Sequence, residues 1–168
     1  MPDFSEVIRL ASTKWNFLKF KPGLVGGHCL PVDPYYFSEA AKQVNQKIRV
    51  TLSGRDTNNS MIDFVTSEIA KDIRKEKIKK ILIAGLTYKA NVPDFRNSLA
   101  LKIYKKLSVK FKNIFAHDPY IKDKYNKYLK IYKKTNFNSY DKIYFLTNHD
   151  SYHKFKKLKN KKYSFLFN

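Results

Sequence analysis

The sequence predicts an α/β protein, with a helical first segment followed by an open, mainly parallel sheet with flanking helices. Three observations carry that expectation. Lys80-Ile81-Leu82-Ile83-Ala84-Gly85-Leu86 is a short unbroken apolar run of the kind buried on both faces of a parallel sheet. Beyond it, strand-like runs alternate with helical patterns, which is how strand–helix–strand units read. Before it, Ile62, Val65, Ile69 and Ile73 recur at helical spacing. The boundary is expected at residues 75–79, dividing a helical region over 1–78 from an α/β region over 79–168.

Taken in order, residues 3–14 predict a short amphipathic helix, with Phe4, Val7, Ile8 and Ala11 on one face. Ser12 to Asn16 break it, and Phe17, Leu18 and Phe20 lead into a glycine-rich stretch, Gly23 to Phe37. Within that stretch Asp33 is placed to cap a helix that Pro34 begins and that runs to about Gln46. From Val50 to Ile73 the pattern is helical again, with Met61 and Phe64 beside the stripe. Gly54 lies inside it at a helix cost of about 1 kcal/mol. The polar run Asp56 to Ser60 marks either a break or a face that contacts something polar. After the first strand, Ser98 to Lys110 is helical, with Leu99, Ile103 and Leu107 facing inward. Asn113 to Pro119 is a second strand ending in a turn, and residues 122–138 predict no firm element. Ile143 to Thr147 is a third strand, Ser151 to Leu158 a short helix, and Tyr163 to Phe167 a fourth strand.

Composition narrows the function classes. Hydrophobic residues at 43% and aromatics at 15% support a packed core rather than disorder. No run of 18 apolar residues occurs, and Met1 to Glu6 lacks a signal-peptide pattern, so neither a membrane span nor secretion is expected. A single cysteine excludes an intrachain disulfide and fits a reducing cytoplasm. The net charge of +20, from 34 Lys+Arg against 14 Asp+Glu, raises the question of a polyanion partner. The excess is mostly lysine spread from Lys71 to Lys162, as AT-rich codons would give, whereas phosphate tracking needs clustering on one face. Nucleic acid is therefore not the expected partner, and part of the charge is left for an anionic small substrate.

Two stretches look chosen for chemistry. In the first, Cys29 sits between Gly26-Gly27 and a helix start. Glycines allow close backbone approach, and amides near a helix N-terminus favour a thiolate. Local features leave a catalytic thiol and an inert small side chain evenly balanced. Asp33, four residues on, can cap the helix and also orient water or a proton. His28 neighbours Cys29 on an extended segment and so points away from it, which argues against a Cys–His pair. The four histidines and one cysteine show no metal-ligand spacing. The second stretch, Thr87 to Ser98, follows the first strand at the sheet edge where ligands bind in open α/β folds. Its Lys89 and Arg96 suit phosphates or a carboxylate, or else a solvated loop ending in a cap at Asn97 or Ser98. No GxGxxG occurs, so the dinucleotide fingerprint is absent.

The two stretches together, in this order, resemble the UDP-glucose/GDP-mannose dehydrogenase family, in the branch acting on UDP-N-acetylhexosamines in bacterial surface-polysaccharide synthesis. The matching text is Ala11 to Leu18, Pro22 to Tyr36, Ile83 to Lys89 and Val92 to Ser98. The resemblance implies a Rossmann-like sheet and oxidation of a sugar C6 hydroxyl to a carboxylate with NAD. It implies Cys29 as the nucleophile that traps the C6 aldehyde, and Asp33 as its aide in the proton and water steps. Phe20, Lys21, Pro22, Gly23, Leu24, Val25 and Gly26 would wrap the UDP-sugar, Tyr88 and Lys89 would bind it, and Arg96 would meet NAD. It also implies a homodimer through the central helices, using Ile62, Val65 and Ile69. The family's N-terminal NAD-binding domain and its catalytic central helix have no counterpart in this sequence. The chain therefore reads as the back part of a dehydrogenase with an incomplete NAD site, inactive alone; the alternatives are a subunit served by a separate NAD-binding chain and a non-catalytic remnant that binds UDP-sugars.

Overall fold

In a computed structural model, residues 3–20, 23–121, 130–158 and 160–166 are described. The elements run α1 (Phe4–Ala11), α2 (Asp33–Gln43), α3 (Arg49–Lys75), β1 (Ile81–Ala84), α4 (Leu99–Lys110), β2 (Ile114–His117), β3 (Ile131–Tyr132), β4 (Lys142–Phe145), α5 (His153–Lys156) and β5 (Tyr163–Phe165). The strands form one sheet in the order β3-β2-β1-β4-β5, and every pairing is parallel. The chain thus leaves the central strand β1 in one direction to build β2 and β3, then returns to its other side for β4 and β5. Between β1 and β4 the order reverses, and in open α/β sheets a ligand crevice forms at that point, beyond the carboxyl ends.

The central strand is fully buried because both faces are covered. On one face, Ile81 and Ile83 join a core with Val65, Ile69 and Ile73 of α3 and Ile103, Tyr104 and Leu107 of α4. On the other, Leu82 and Ala84 pack with Ile143, Phe145, Tyr152 and Phe155. Each fully buried aliphatic or aromatic side chain contributes roughly 1.5–3 kcal/mol of transfer free energy, so these two layers fix the sheet.

Several elements differ from the sequence expectation. Asp33 is not an N-cap: Val32 holds that position without a side-chain cap bond, and Asp33 is the first helical residue. The reason is a tight turn in which Cys29 O accepts from both Val32 N (2.8 Å) and Asp33 N (2.9 Å), so helical geometry begins one residue early. Helix α2 ends at Gln43, two residues before Asn45 takes a positive φ of 53°. The polar run 56–60 does not break α3, which continues through it for 27 residues. Strand β3 lies in the stretch where no element was expected, and residues 122–129 of that stretch are outside the described residues. Val65 and Ile69, expected at a dimer face, are 4% and 1% exposed within the chain's own core, so they are not available to a second copy. Helix α1 forms as expected but buries none of its residues.

The cleft at the carboxyl edge of the sheet

Gly85 makes the β1–β4 crossing possible. It has φ +81°, and a Cβ there would lie 2.3 Å from the Thr147 carbonyl oxygen, so only glycine lets the two strand exits approach this closely. The chain beyond Gly85 is then fixed by a buried polar network. Asp118, just past β2, accepts from Leu86 N (2.7 Å), Thr87 N (3.1 Å) and Tyr120 N (2.9 Å). His149, just past β4, accepts from Asn91 N at Nδ1 (2.9 Å), which leaves its Nε2 to donate to Asp118 Oδ2 (3.2 Å). Both side chains are fully buried. Burial by itself would raise the Asp118 pKa, but the His149 and backbone N–H bonds outweigh it, and the carboxyl sits below its ordinary range. Thr147 Oγ1 donates to Thr87 O (2.7 Å), and Ser98 Oγ both donates to Leu86 O (2.6 Å) and accepts from Leu101 N at the start of α4 (3.2 Å).

The start of the loop so held, Thr87 to Ala90, lines a cavity of about 330 Å³ with Gly23, Leu24, Thr147, Lys156 and the first turn of α4. Four residues singled out in the sequence therefore meet here: Gly23, Leu24, Tyr88 and Lys89. The glycine loop is fastened to the 87–97 loop at several points. Gly27 N donates to Arg96 O (3.1 Å), and Asn97 Nδ2 donates to Gly27 O (3.0 Å). A Cβ on Gly26 would stand 2.7 Å from Asn97 O, so the backbones touch. On its other flank, Asn58 of α3 grips Val25 at both ends, accepting from Val25 N (3.1 Å) and donating to Val25 O (2.9 Å). Val25 and Gly26 thus belong to the cradle without lining the cavity.

The remaining expected residues lie around this core. Cys29 is exposed with a free thiol, on the turn that opens α2. Asp33 is also exposed; its backbone N–H donates to Cys29 O (2.9 Å), and no side-chain hydrogen bond joins the two among the described residues. Arg96 binds Asp94 through Nε (3.1 and 2.9 Å) and Nη2 (2.6 Å), which pulls the Asp94 pKa down to about 2. The Asp94 carboxylate in turn raises the Arg96 pKa above its ordinary value. Phe20 is 75% exposed and does not line the cavity. Lys21 and Pro22 fall outside the described residues. Asn58 falls in the polar run 56–60, whose expected contact with something polar it supplies at Val25, whereas sequence reasoning missed Asp118 and His149 as supports of the site. The available signal was that Asp118 and His149 each follow a strand at its carboxyl end, the edge where ligands bind.

Residues 82–166 match the UDP-glucose/GDP-mannose dehydrogenase family, UDP binding domain, and residues 2–60 match the central domain of the same family. Protein CapL of Staphylococcus aureus is 40% identical over 120 residues, covering 69% of this chain and 28% of that protein. The UDP-N-acetyl-D-glucosamine 6-dehydrogenase of Pseudomonas aeruginosa is 38% identical over 123 residues, covering 71% of this chain and 29% of that enzyme. Among solved structures, the UDP-D-ManNAc dehydrogenase of Pyrococcus horikoshii superposes with a TM-score of 0.72 at 28% identity, over 88% of this chain and 35% of that one. The chain spans under a third of the length of these two curated relatives.

Proposed function

This chain belongs to the UDP-glucose/GDP-mannose dehydrogenase family, and from that premise we propose that it supplies the UDP-sugar grip and the nucleophilic thiol of a UDP-N-acetylhexosamine 6-dehydrogenase. The observation that carries the reading is the fastening of the Cys29 loop to the Lys89–Arg96 loop over a cavity at the strand-order reversal. A nucleoside diphosphate fits that cavity by charge and by position. The Lys89 ammonium and the positive end of α4 face its phosphates, and Tyr88 and Leu24 offer apolar surface.

In this reading Cys29 Sγ adds to the C6 aldehyde of the sugar, and the carbonyl oxygen takes a proton to give a thiohemiacetal. At the acid oxidation level the same carbon is a thioester, which water opens to the carboxylate while the thiol regains its proton. Asp33, one turn away at the start of α2, serves the proton and water steps. NAD, when bound, supplies the acceptor for the two hydrides. The residues present fit NAD only in part. Arg96 Nη1 has no partner among the described residues and suits one cofactor phosphate, but no dinucleotide fingerprint occurs in this sequence. Residues outside this chain, in the same polypeptide or in a separate NAD-binding subunit, complete that site. The same reading places the enzyme in the cytoplasm, in surface-polysaccharide synthesis, as a homodimer using outward residues of α3 such as Val50 and Phe64.

Calorimetry with UDP-N-acetylglucosamine tests the grip: binding is expected, weakened at least tenfold in Lys89→Met. Bound sugar nucleotide is also expected to slow alkylation of Cys29 by iodoacetamide, followed by mass spectrometry. The chain alone is expected to form no NADH from NAD and any UDP-hexosamine. Equal affinity in the Lys89→Met variant would overturn the assigned site, and steady NADH formation would overturn the incomplete-cofactor-site reading.

A further inference from the structure

A second cavity, of about 210 Å³, lies between the start of α2, the middle of α3 and the first turn of α4, and among the described residues only Leu99 lines both it and the sheet-edge cleft. Arg55 of α3 lines it at 8% exposure. Its Nη2 makes one long bond, 3.3 Å, to the neutral amide oxygen of Asn59, and its buried Nε has no partner. No carboxylate forms an ion pair with Arg55 among the described residues. A guanidinium stripped of water and given no counter-charge is costly, and proteins rarely keep one without an anion to meet it. Lys102 borders the same cavity and has no ion-pair partner among the described residues either. The positive end of the 12-residue helix α4 faces the same space through Leu99.

We propose that Arg55, Lys102 and Asn59 form a binding site for a small phosphate-class oxyanion, separate from the sheet-edge cleft. Two cations and a helix N-terminus match a dianion better than a monocarboxylate. The planar guanidinium offers paired donors to two of its oxygens, and Asn59 can turn its amide N–H toward a third. The proposal stands independently of the UDP-sugar reading, because the two cavities use different cations.

Thermal unfolding of the whole chain at constant ionic strength, titrated with inorganic phosphate, tests it. Wild type and Lys89→Met, which lacks the cation assigned to the sheet-edge cleft, are both expected to gain a saturable rise in Tm. Arg55→Met should lose it. Because that variant could fold poorly, Asn59→Asp provides the second arm. Its carboxylate takes the place of the anion, so Tm without phosphate should rise and phosphate affinity should fall at least tenfold. Lys102→Met should weaken phosphate severalfold with an unchanged starting Tm. No phosphate response in wild type, an equal response in Asn59→Asp, or a response to acetate as strong as that to phosphate would each overturn the site.

Discussion

Gly26 measures how little room the two functional loops leave each other. A methyl group there would meet Asn97 O at 2.7 Å and Tyr88 Cβ at 2.9 Å, and neither atom is the free end of a flexible side chain. Gly26→Ala should therefore pry the loops apart, at a cost of about 1–3 kcal/mol typical of overpacking. The drop should be visible in urea unfolding, with UDP-sugar affinity falling alongside. His117 gives a prediction in pH. Its Nε2 bonds the Lys133 carbonyl (3.1 Å) and so carries the hydrogen, leaving Nδ1 to accept from the Tyr152 hydroxyl (2.8 Å). Burial lowers its pKa from 6.5 to about 4. Between those two values the unfolded chain binds the proton and the folded chain does not, so stability falls as the pH falls through that window. At roughly 1.4 kcal/mol per pH unit, the loss by pH 5 is on the order of 2 kcal/mol. Urea midpoints at pH 7 and pH 5 should show it, and His117→Asn should flatten the difference.

At the scale of elements, the long helix α3 has two jobs along its length. Its C-terminal part buries Val65, Ile69 and Ile73 against α4 and the sheet, while Asn58, nearer its middle, clamps Val25. Gly54, one turn earlier, serves neither: a Cβ there meets nothing within 4 Å. Gly54→Ala should thus stabilise the chain by about 0.5–1 kcal/mol through helix propensity alone, read as a higher urea midpoint at unchanged UDP-sugar affinity. The stripes of α3 and α4 were legible in the sequence because burial of one face imposes a period, and β1 and β4 because burial of both faces gives a short apolar run. Strand β3 was not, since two residues are too few to carry one. The Cys29 and Lys89 stretches were legible through glycine, proline and charge. The clamps that join them were not, because Asn58 and Val25 stand 33 residues apart and Asp118 and His149 stand 31 apart, distances over which no local pattern operates. Asp33 was misread as a cap because the Cys29 carbonyl, a backbone group invisible to side-chain patterns, already holds the turn.

Across the whole molecule, burial is uneven. The sheet, α4 and the C-terminal part of α3 share two continuous cores, whereas α1 contributes no buried residue and leaves Phe4 (53%), Val7 (45%) and Leu10 (54%) exposed. An eight-residue helix is below the length that is stable alone in water, about 12–15 residues, and a solvent-screened Arg9–Glu6 pair adds little. Within this chain α1 should therefore open far more easily than the sheet, and the two should not unfold as one cooperative unit. Hydrogen exchange is expected to label the α1 amides within seconds at neutral pH, while those of β1, β4 and residues 103–107 exchange only on the timescale of global unfolding. Removing residues 1–14 should move the Tm by less than about 2 °C, since a loss of 1 kcal/mol would shift a chain of this size by roughly 2–4 °C. A larger drop, or protection in α1 equal to that in β1, would show that the apolar face of α1 is engaged, and the sheet core could no longer be treated as the sole cooperative unit of this chain.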